Sequence, residues 1–177
     1  SVLTMTRLGY IKRQAADMYK TQRRGGRGIM GMATRDEDVT ETMFLCSSHD
    51  YVMFFTSEGR VYRLKCYEVP EGSRTSKGMN IVNLLPISGD EKVTAMIHVS
   101  ETEGEQYLCM VTRKGIIKRT CLDAYANVRK SGLIAIDLDE GDELAWVQLT
   151  DGHQKLMVAT RQGMAICFDE NDARVVG

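Results

Sequence analysis

The chain has 177 residues, with 23 Lys and Arg against 24 Asp and Glu, a formal charge of −1, 43% hydrophobic and 7% aromatic residues, 16 Gly and 2 Pro. That apolar share excludes a disordered chain, and no uninterrupted run reaches the ~20 residues of a membrane-spanning helix. Ser1-Val2-Leu3-Thr4 lacks the basic start and apolar core of a signal peptide, and the near-neutral charge, taken whole, argues against a nucleic-acid partner.

In chain order, the first element is a tight hairpin: Val2-Leu3-Thr4-Met5 leads into Thr6-Arg7-Leu8-Gly9 and out through Tyr10-Ile11-Lys12-Arg13. The same Thr-x-x-Gly sequence recurs at Thr56-Ser57-Glu58-Gly59, Thr112-Arg113-Lys114-Gly115 and Thr160-Arg161-Gln162-Gly163, with the glycines 50, 56 and 48 residues apart. A type I turn closing on a left-handed Gly is a favoured three-residue hairpin link, which explains the Gly. Apolar runs precede the later copies: Val52-Met53-Phe54-Phe55, Leu108-Cys109-Met110-Val111 and Leu156-Met157-Val158-Ala159.

A second landmark follows each of the first three hairpins, a basic residue and a Gly. Gly28 and Gly78 each lie 19 residues past their hairpin Gly, and Gly132 lies 17 past Gly115. After it the pattern predicts a third strand, such as Leu133-Ile134-Ala135-Ile136. An acidic turn comes next (Asp36-Glu37-Asp38, Gly89-Asp90-Glu91 or Gly141-Asp142-Glu143), then a fourth strand at 43–46, 93–99 or 144–149. Four short strands per period of about 50 residues predict an all-β, β-propeller-like array of four-stranded blades. The approximate repeats are 2–50, 51–106, 107–154 and an incomplete 155–177, about three and a half blades, so the chain is expected to be a piece of a longer protein.

The charge resolves into blocks in step with this repeat. Residues 1–35 carry +7, 36–58 carry −6, 59–78 carry +3, 79–106 carry −4, 107–132 carry +5, 133–154 carry −6, and the remainder balances. The basic residues fall on the first hairpin and the loop to the second Gly. They are Arg7, Lys12 and Arg13, then Arg60, Arg63, Lys65, Arg74 and Lys77, then Arg113, Lys114, Lys118, Arg119, Arg129 and Lys130. Arg13, Arg63 and Arg119 each lie four residues past their hairpin Gly. Stacked repeats would gather these cations into a strip suited to a polyanion backbone.

The densest motif is Gln22-Arg23-Arg24-Gly25-Gly26-Arg27-Gly28. Its guanidiniums are fork-shaped donors for phosphate oxygens, and its glycines let backbone N–H groups approach an anion. This heptapeptide, with the Thr-x-x-Gly hairpins around it, resembles the signature box of the C-terminal domain of bacterial DNA gyrase A. The resemblance covers essentially the whole chain and implies a β-pinwheel of six blades, a propeller relative in which blades exchange strands.

It further implies a domain that binds duplex DNA around a basic perimeter, bends it, and supports ATP-dependent negative supercoiling by the holoenzyme. The box residues Gln22, Arg23, Arg24, Gly25, Gly26, Arg27 and Gly28 would serve wrapping. The implied partners are duplex DNA, the rest of the gyrase A protein, and the gyrase B protein, in a bacterial cytoplasm at the nucleoid. No cofactor, membrane or small-molecule substrate is implied. The catalytic tyrosine of the family lies in another region, so the chain by itself is expected to be non-catalytic. The alternatives are the equivalent domain of topoisomerase IV, in which the box is degenerate or missing, and an unrelated propeller acting as a protein-interaction scaffold.

Five cysteines, at 46, 66, 109, 121 and 167, include no C-x-x-C pair, and the histidines at 49, 98 and 153 share no ligand spacing. Cys46, Cys109 and Cys167, in apolar runs, are expected to be buried free thiols in a reducing compartment. No metal site is expected.

Overall fold

The structure, a computed structural model, describes residues 1–15, 40–47, 49–73, 75–100, 105–159 and 165–173. The first hairpin joins β1 (Val2–Thr6) to β2 (Tyr10–Gln14), with Val2 opposite Gln14 and Met5 opposite Ile11. β3 (Thr40–Leu45) follows, then the second hairpin of β4 (Tyr51–Thr56) and β5 (Arg60–Lys65). β6 (Met79–Asn80) and β7 (Val93–Val99) lead to the third hairpin, β8 (Tyr107–Thr112) and β9 (Ile117–Cys121). β10 (Leu133–Ile134) and β11 (Leu144–Thr150) precede β12 (Lys155–Ala159), which pairs with β13 (Ala165–Asp169). The turn between β12 and β13, the box at 22–28 and the acidic turn at 36–38 lie outside the described residues.

The three described turns share one chemistry. Gly9, Gly59 and Gly115 have φ of 91°, 79° and 90° and donate to the carbonyls of Thr6, Thr56 and Thr112 at 3.0 Å. The threonines have a task that the sequence pattern does not explain. Each Oγ accepts the N–H four residues on, from Tyr10 at 3.1 Å, Arg60 at 3.3 Å and Ile116 at 3.0 Å. Thr56 and Thr112 also lie beside the acidic turn, next to Glu91 and Asp142. Asp142 in turn accepts the Lys114 N–H at 3.0 Å, and the two turns are pinned by Ser57 N–H to Lys92 O and Arg113 N–H to Glu143 O, both 2.8 Å. Two motifs separate in sequence are thus one hydrogen-bonded unit.

Strand order shows which repeat completes each sheet. Among the described residues, the first sheet runs β3-β1-β2-β6 and the second β10-β5-β4-β7; the third, β11-β8-β9, has three strands and the fourth, β12-β13, two. β6 follows the second landmark of repeat two yet pairs with β2 of repeat one, Met79 opposite Ile11. β10, from repeat three, likewise pairs with β5, Leu133 opposite Val61. Sheet membership therefore runs one strand ahead of the sequence period. These strands are only two residues long. The expected third strand 133–136 stops at Ile134; Ala135 and Ile136 turn inward, both donating to Gly59 O.

The central strand of each of the first three sheets is buried on both faces. Val2–Thr6, Val52–Thr56 and Leu108–Thr112 are all buried, which accounts for apolar runs without alternation. Short 3-10 turns, absent from the sequence reading, follow the second strands of the hairpins at Cys66–Glu68, Leu122–Tyr125 and Glu170–Asp172. Each is tied to the residue before or near its hairpin: Cys66 N–H to Asp50 O, Leu122 N–H to Gln106 O and Glu170 N–H to Gln154 O, all 2.9 Å.

Contacts divide the chain into two compact units. One comprises Ser1–Met53, Arg63–Asp90 and His98–Glu101, the other Phe54–Tyr62, Glu91–Ile97 and Thr102–Gly177. The first corrects the expectation for the cysteines. Cys46 and Cys66 are joined by a disulfide, because Cys46, paired with Ser1 at the end of β3, meets the 3-10 turn that Cys66 opens. In the second unit Cys109 is buried as expected, and burial raises its pKa, whereas Cys167 on β13 is exposed.

Candidate nucleic-acid interface

In the first unit, several cations lie over tyrosine rings. The Arg63 guanidinium lies 4.2 Å from the Tyr51 centroid, and the Lys65 ammonium stands between Tyr51 and Tyr67, at 5.4 and 5.9 Å. Lys77, exposed, leans on Tyr10 at 5.5 Å. Each such contact is worth about 0.5–1 kcal/mol at the surface and restricts a long side chain. Arg7 is exposed at the first hairpin tip. Arg13 directs its Nε to Val69 O at 2.9 Å, and so clamps the start of the loop 69–78.

In the second unit, Arg60 donates to Ser131 O at 2.6 Å and Lys118 to Ala135 O at 2.9 Å. Lys114 reaches Glu140 O at 2.7 Å, and Arg113 pairs with Glu143 at 3.6 Å, both side chains largely exposed. Arg129 and Lys130 are exposed in the loop that closes by Gly132 N–H to Arg129 O, 2.9 Å. Arg74 and the box residues Gln22, Arg23, Arg24, Gly25, Gly26, Arg27 and Gly28 lie outside the described residues.

Two of the expected strip residues, Lys12 and Arg119, turn inward. Lys12 is 1% exposed, with Nζ 2.8 Å from both Ser73 O and Ser76 O. Arg119 is 7% exposed, donates to Glu170 O at 2.7 Å and lies over Tyr107 at 4.6 Å. Equal spacing from a hairpin Gly gives Arg13, Arg63 and Arg119 similar places on their hairpins without giving them equal exposure, because the next segment folds differently over each. The structure instead joins the two basic landmarks across repeats. Lys12 and Arg60, on the hairpin strands of one repeat, hold carbonyls of the second-landmark loop of the next. Tyr51 and Tyr107 each lie 12 residues before the Arg that stacks on them, a spacing that has no meaning until the hairpins are formed.

The acidic turns are built into the fold. Glu91 is buried, accepts from Tyr62 OH at 3.4 Å, and its pKa is raised, chiefly by burial and further by the neighbouring Glu58, against the Thr56 hydrogen bond. Burial also pushes Asp142 upward, but its hydrogen bonds from Thr112, Lys114 and Glu143 prevail and its pKa is lowered. A raised carboxyl contributes stability below its ordinary value of 4.5, and that contribution disappears as pH rises through the folded value. Glu91→Gln should therefore raise Tm at pH 7 by about 2–4 °C, the shift about 1 kcal/mol produces at this size. The gain should shrink on acidification toward pH 4.5, and thermal melts across that range check it.

The profile of the family described as DNA gyrase C-terminal domain, beta-propeller, matches residues 1–47, 50–100 and 106–151. The chain belongs to the DNA gyrase C-terminal domain family. The DNA gyrase A protein of Clostridium acetobutylicum is 48% identical over 176 residues, which are 99% of this chain and 21% of that protein. A crystal structure of the C-terminal domain of DNA topoisomerase IV superposes with a TM-score of 0.83 at 31% identity, covering 99% of this chain and 53% of that one. A structure of the DNA gyrase A C-terminal domain gives 0.71 at 25% identity, covering 99% and 56%. The all-β, propeller-like fold is thus that of the gyrase and topoisomerase IV C-terminal domains, and the chain spans about a fifth of the curated relative's length. Its family places it as a C-terminal domain of gyrase A, a part of the protein without the catalytic region.

Proposed function

We propose that this chain binds duplex DNA without sequence preference, bends it, and serves the gyrase holoenzyme in ATP-dependent negative supercoiling, in the cytoplasm of a bacterium. The observation that carries the reading is the phasing of charge with structure. The basic blocks fall on hairpins and second-landmark loops, and there Arg63, Lys65 and Lys77 are ordered on tyrosine rings. Ordered cations of this kind position a phosphate backbone without reading bases. The intact heptapeptide at 22–28 favours gyrase over topoisomerase IV as the parent enzyme. The gyrase B protein and the remainder of gyrase A are the protein partners on this reading.

The test is to relax and seal circular DNA with the chain bound and read the topoisomer distribution. A shift in mean linking number is expected, and Arg23→Ala, Arg24→Ala and Arg27→Ala combined should remove at least half of it while the chain still binds. Binding without any shift would leave attachment without chiral bending, and an undiminished shift in the triple variant would take the box out of the mechanism.

A further inference from the structure

Lys12 is a charged residue in the middle of a hairpin strand, and it is almost fully buried. Its ammonium donates to two carbonyls of one loop, Ser73 O and Ser76 O, both at 2.8 Å. The loop closes on its stem from both sides. A Cβ on Gly72 would stand 2.8 Å from Lys12 Cδ, and one on Gly78 would stand 2.8 Å from Lys12 Cβ. Backbone bonds fix the loop's ends to the same strand: Arg13 N–H to Pro70 O at 3.2 Å, Gly72 N–H to Arg13 O at 2.9 Å, and Met79 in register with Ile11. Ser73 and Ser76 are therefore gathered around a cation supplied by the preceding repeat, next to Lys77 in sequence.

We propose that Lys12 is a positioning residue for duplex binding: its buried ammonium sets the shape of loop 70–78, so the first repeat controls how the basic residues of the second meet a phosphate backbone. This rests on the DNA-binding reading. Lys12 touches no phosphate itself. It acts by drawing the carbonyls of Ser73 and Ser76 inward, beside which Lys77 is exposed. Lys77, exposed and held against Tyr10, is the cation whose placement depends on it.

The experiment measures binding of the 177-residue chain to a fluorescently labelled duplex by anisotropy over a salt series, below the melting temperature of every variant. Lys12→Met keeps the stem and removes the ammonium. It should weaken binding about five- to tenfold at 0.1 M salt and flatten the log–log salt slope by about one, as loss of one phosphate contact does. In a background of Arg74→Ala and Lys77→Ala it should add less than about twofold, because the contacts it positions are gone.

Gly72→Ala approaches the same junction from the loop side, displacing Lys12 Cδ and the Ser76 hydroxyl without backbone strain. It should weaken binding about two- to threefold, an effect also absorbed by the loop background, and it stands in if Lys12→Met does not fold. An unchanged slope, or losses that add fully to those of the loop variant, would overturn the positioning role. A parent chain that binds no duplex at any salt would instead sink the DNA-binding reading beneath it.

Discussion

Duplex affinity should collapse as salt rises. Six to ten phosphate contacts, a range that the exposed and half-buried cations of the described hairpins and loops can supply, give a log–log slope of roughly −5 to −9. The corresponding loss is about 10³–10⁵ in affinity between 50 and 200 mM salt. The steepness comes from counterions released when Lys and Arg replace them at the phosphates. It is therefore independent of base sequence, and A·T-rich and G·C-rich duplexes should give the same slope. Anisotropy titrations at five or more salt concentrations measure it. A slope near zero would mean that the phased cations serve the fold and not a phosphate backbone.

The largest single-residue effect on stability is expected at Gly78. Its φ is +84°, and a Cβ there would stand 2.4 Å from Ile11 O and 2.8 Å from Lys12 Cβ. Backbone oxygen does not yield as a flexible side-chain end does, so Gly78→Ala combines left-handed strain with a clash against β2. A cost of about 2–4 kcal/mol follows, or roughly 5–15 °C in Tm. Gly89 is the control. Its φ is +54° and nothing lies within 4 Å of its Cβ position, so Gly89→Ala bears only the left-handed conformational cost, about 1–2 kcal/mol. Thermal unfolding of the two variants separates the terms, and equal melts would show that Gly78 is kept for its dihedral angle alone.

The hairpins were legible in the sequence because Thr-x-x-Gly is a local signal: the turn type, the left-handed Gly and the flanking apolar runs all lie within about a dozen residues. The fourth strands were legible for the same reason, each being a run of six or seven residues after an acidic turn. The exchanged strands were harder. Met79–Asn80 and Leu133–Ile134 are two residues each, too short for a period, and their partners are the hairpin of another repeat. The buried Lys12 was invisible because nothing in Tyr10-Ile11-Lys12-Arg13 distinguishes a lysine whose ammonium meets carbonyls from one that meets solvent. The same holds for Arg119. The disulfide joins thiols 20 residues apart that only the meeting of β3 with a 3-10 turn brings together. Of the candidate interface, the sequence marked which segments are basic, while the tyrosines that order Arg63, Lys65 and Lys77 emerged only with the sheet.

The exchange of strands gives the chain a direction in time. β3 ends at Leu45, but the strand that completes its sheet begins at Met79. On a ribosome adding about 5–20 residues per second, the first sheet waits roughly 2–7 s with one edge unpaired after its own strands have emerged. The second sheet waits in turn for Leu133. Each nascent repeat is thus an unfinished template whose completion is carried by its successor, and a stall in translation between two repeats exposes a sheet edge in the earlier one.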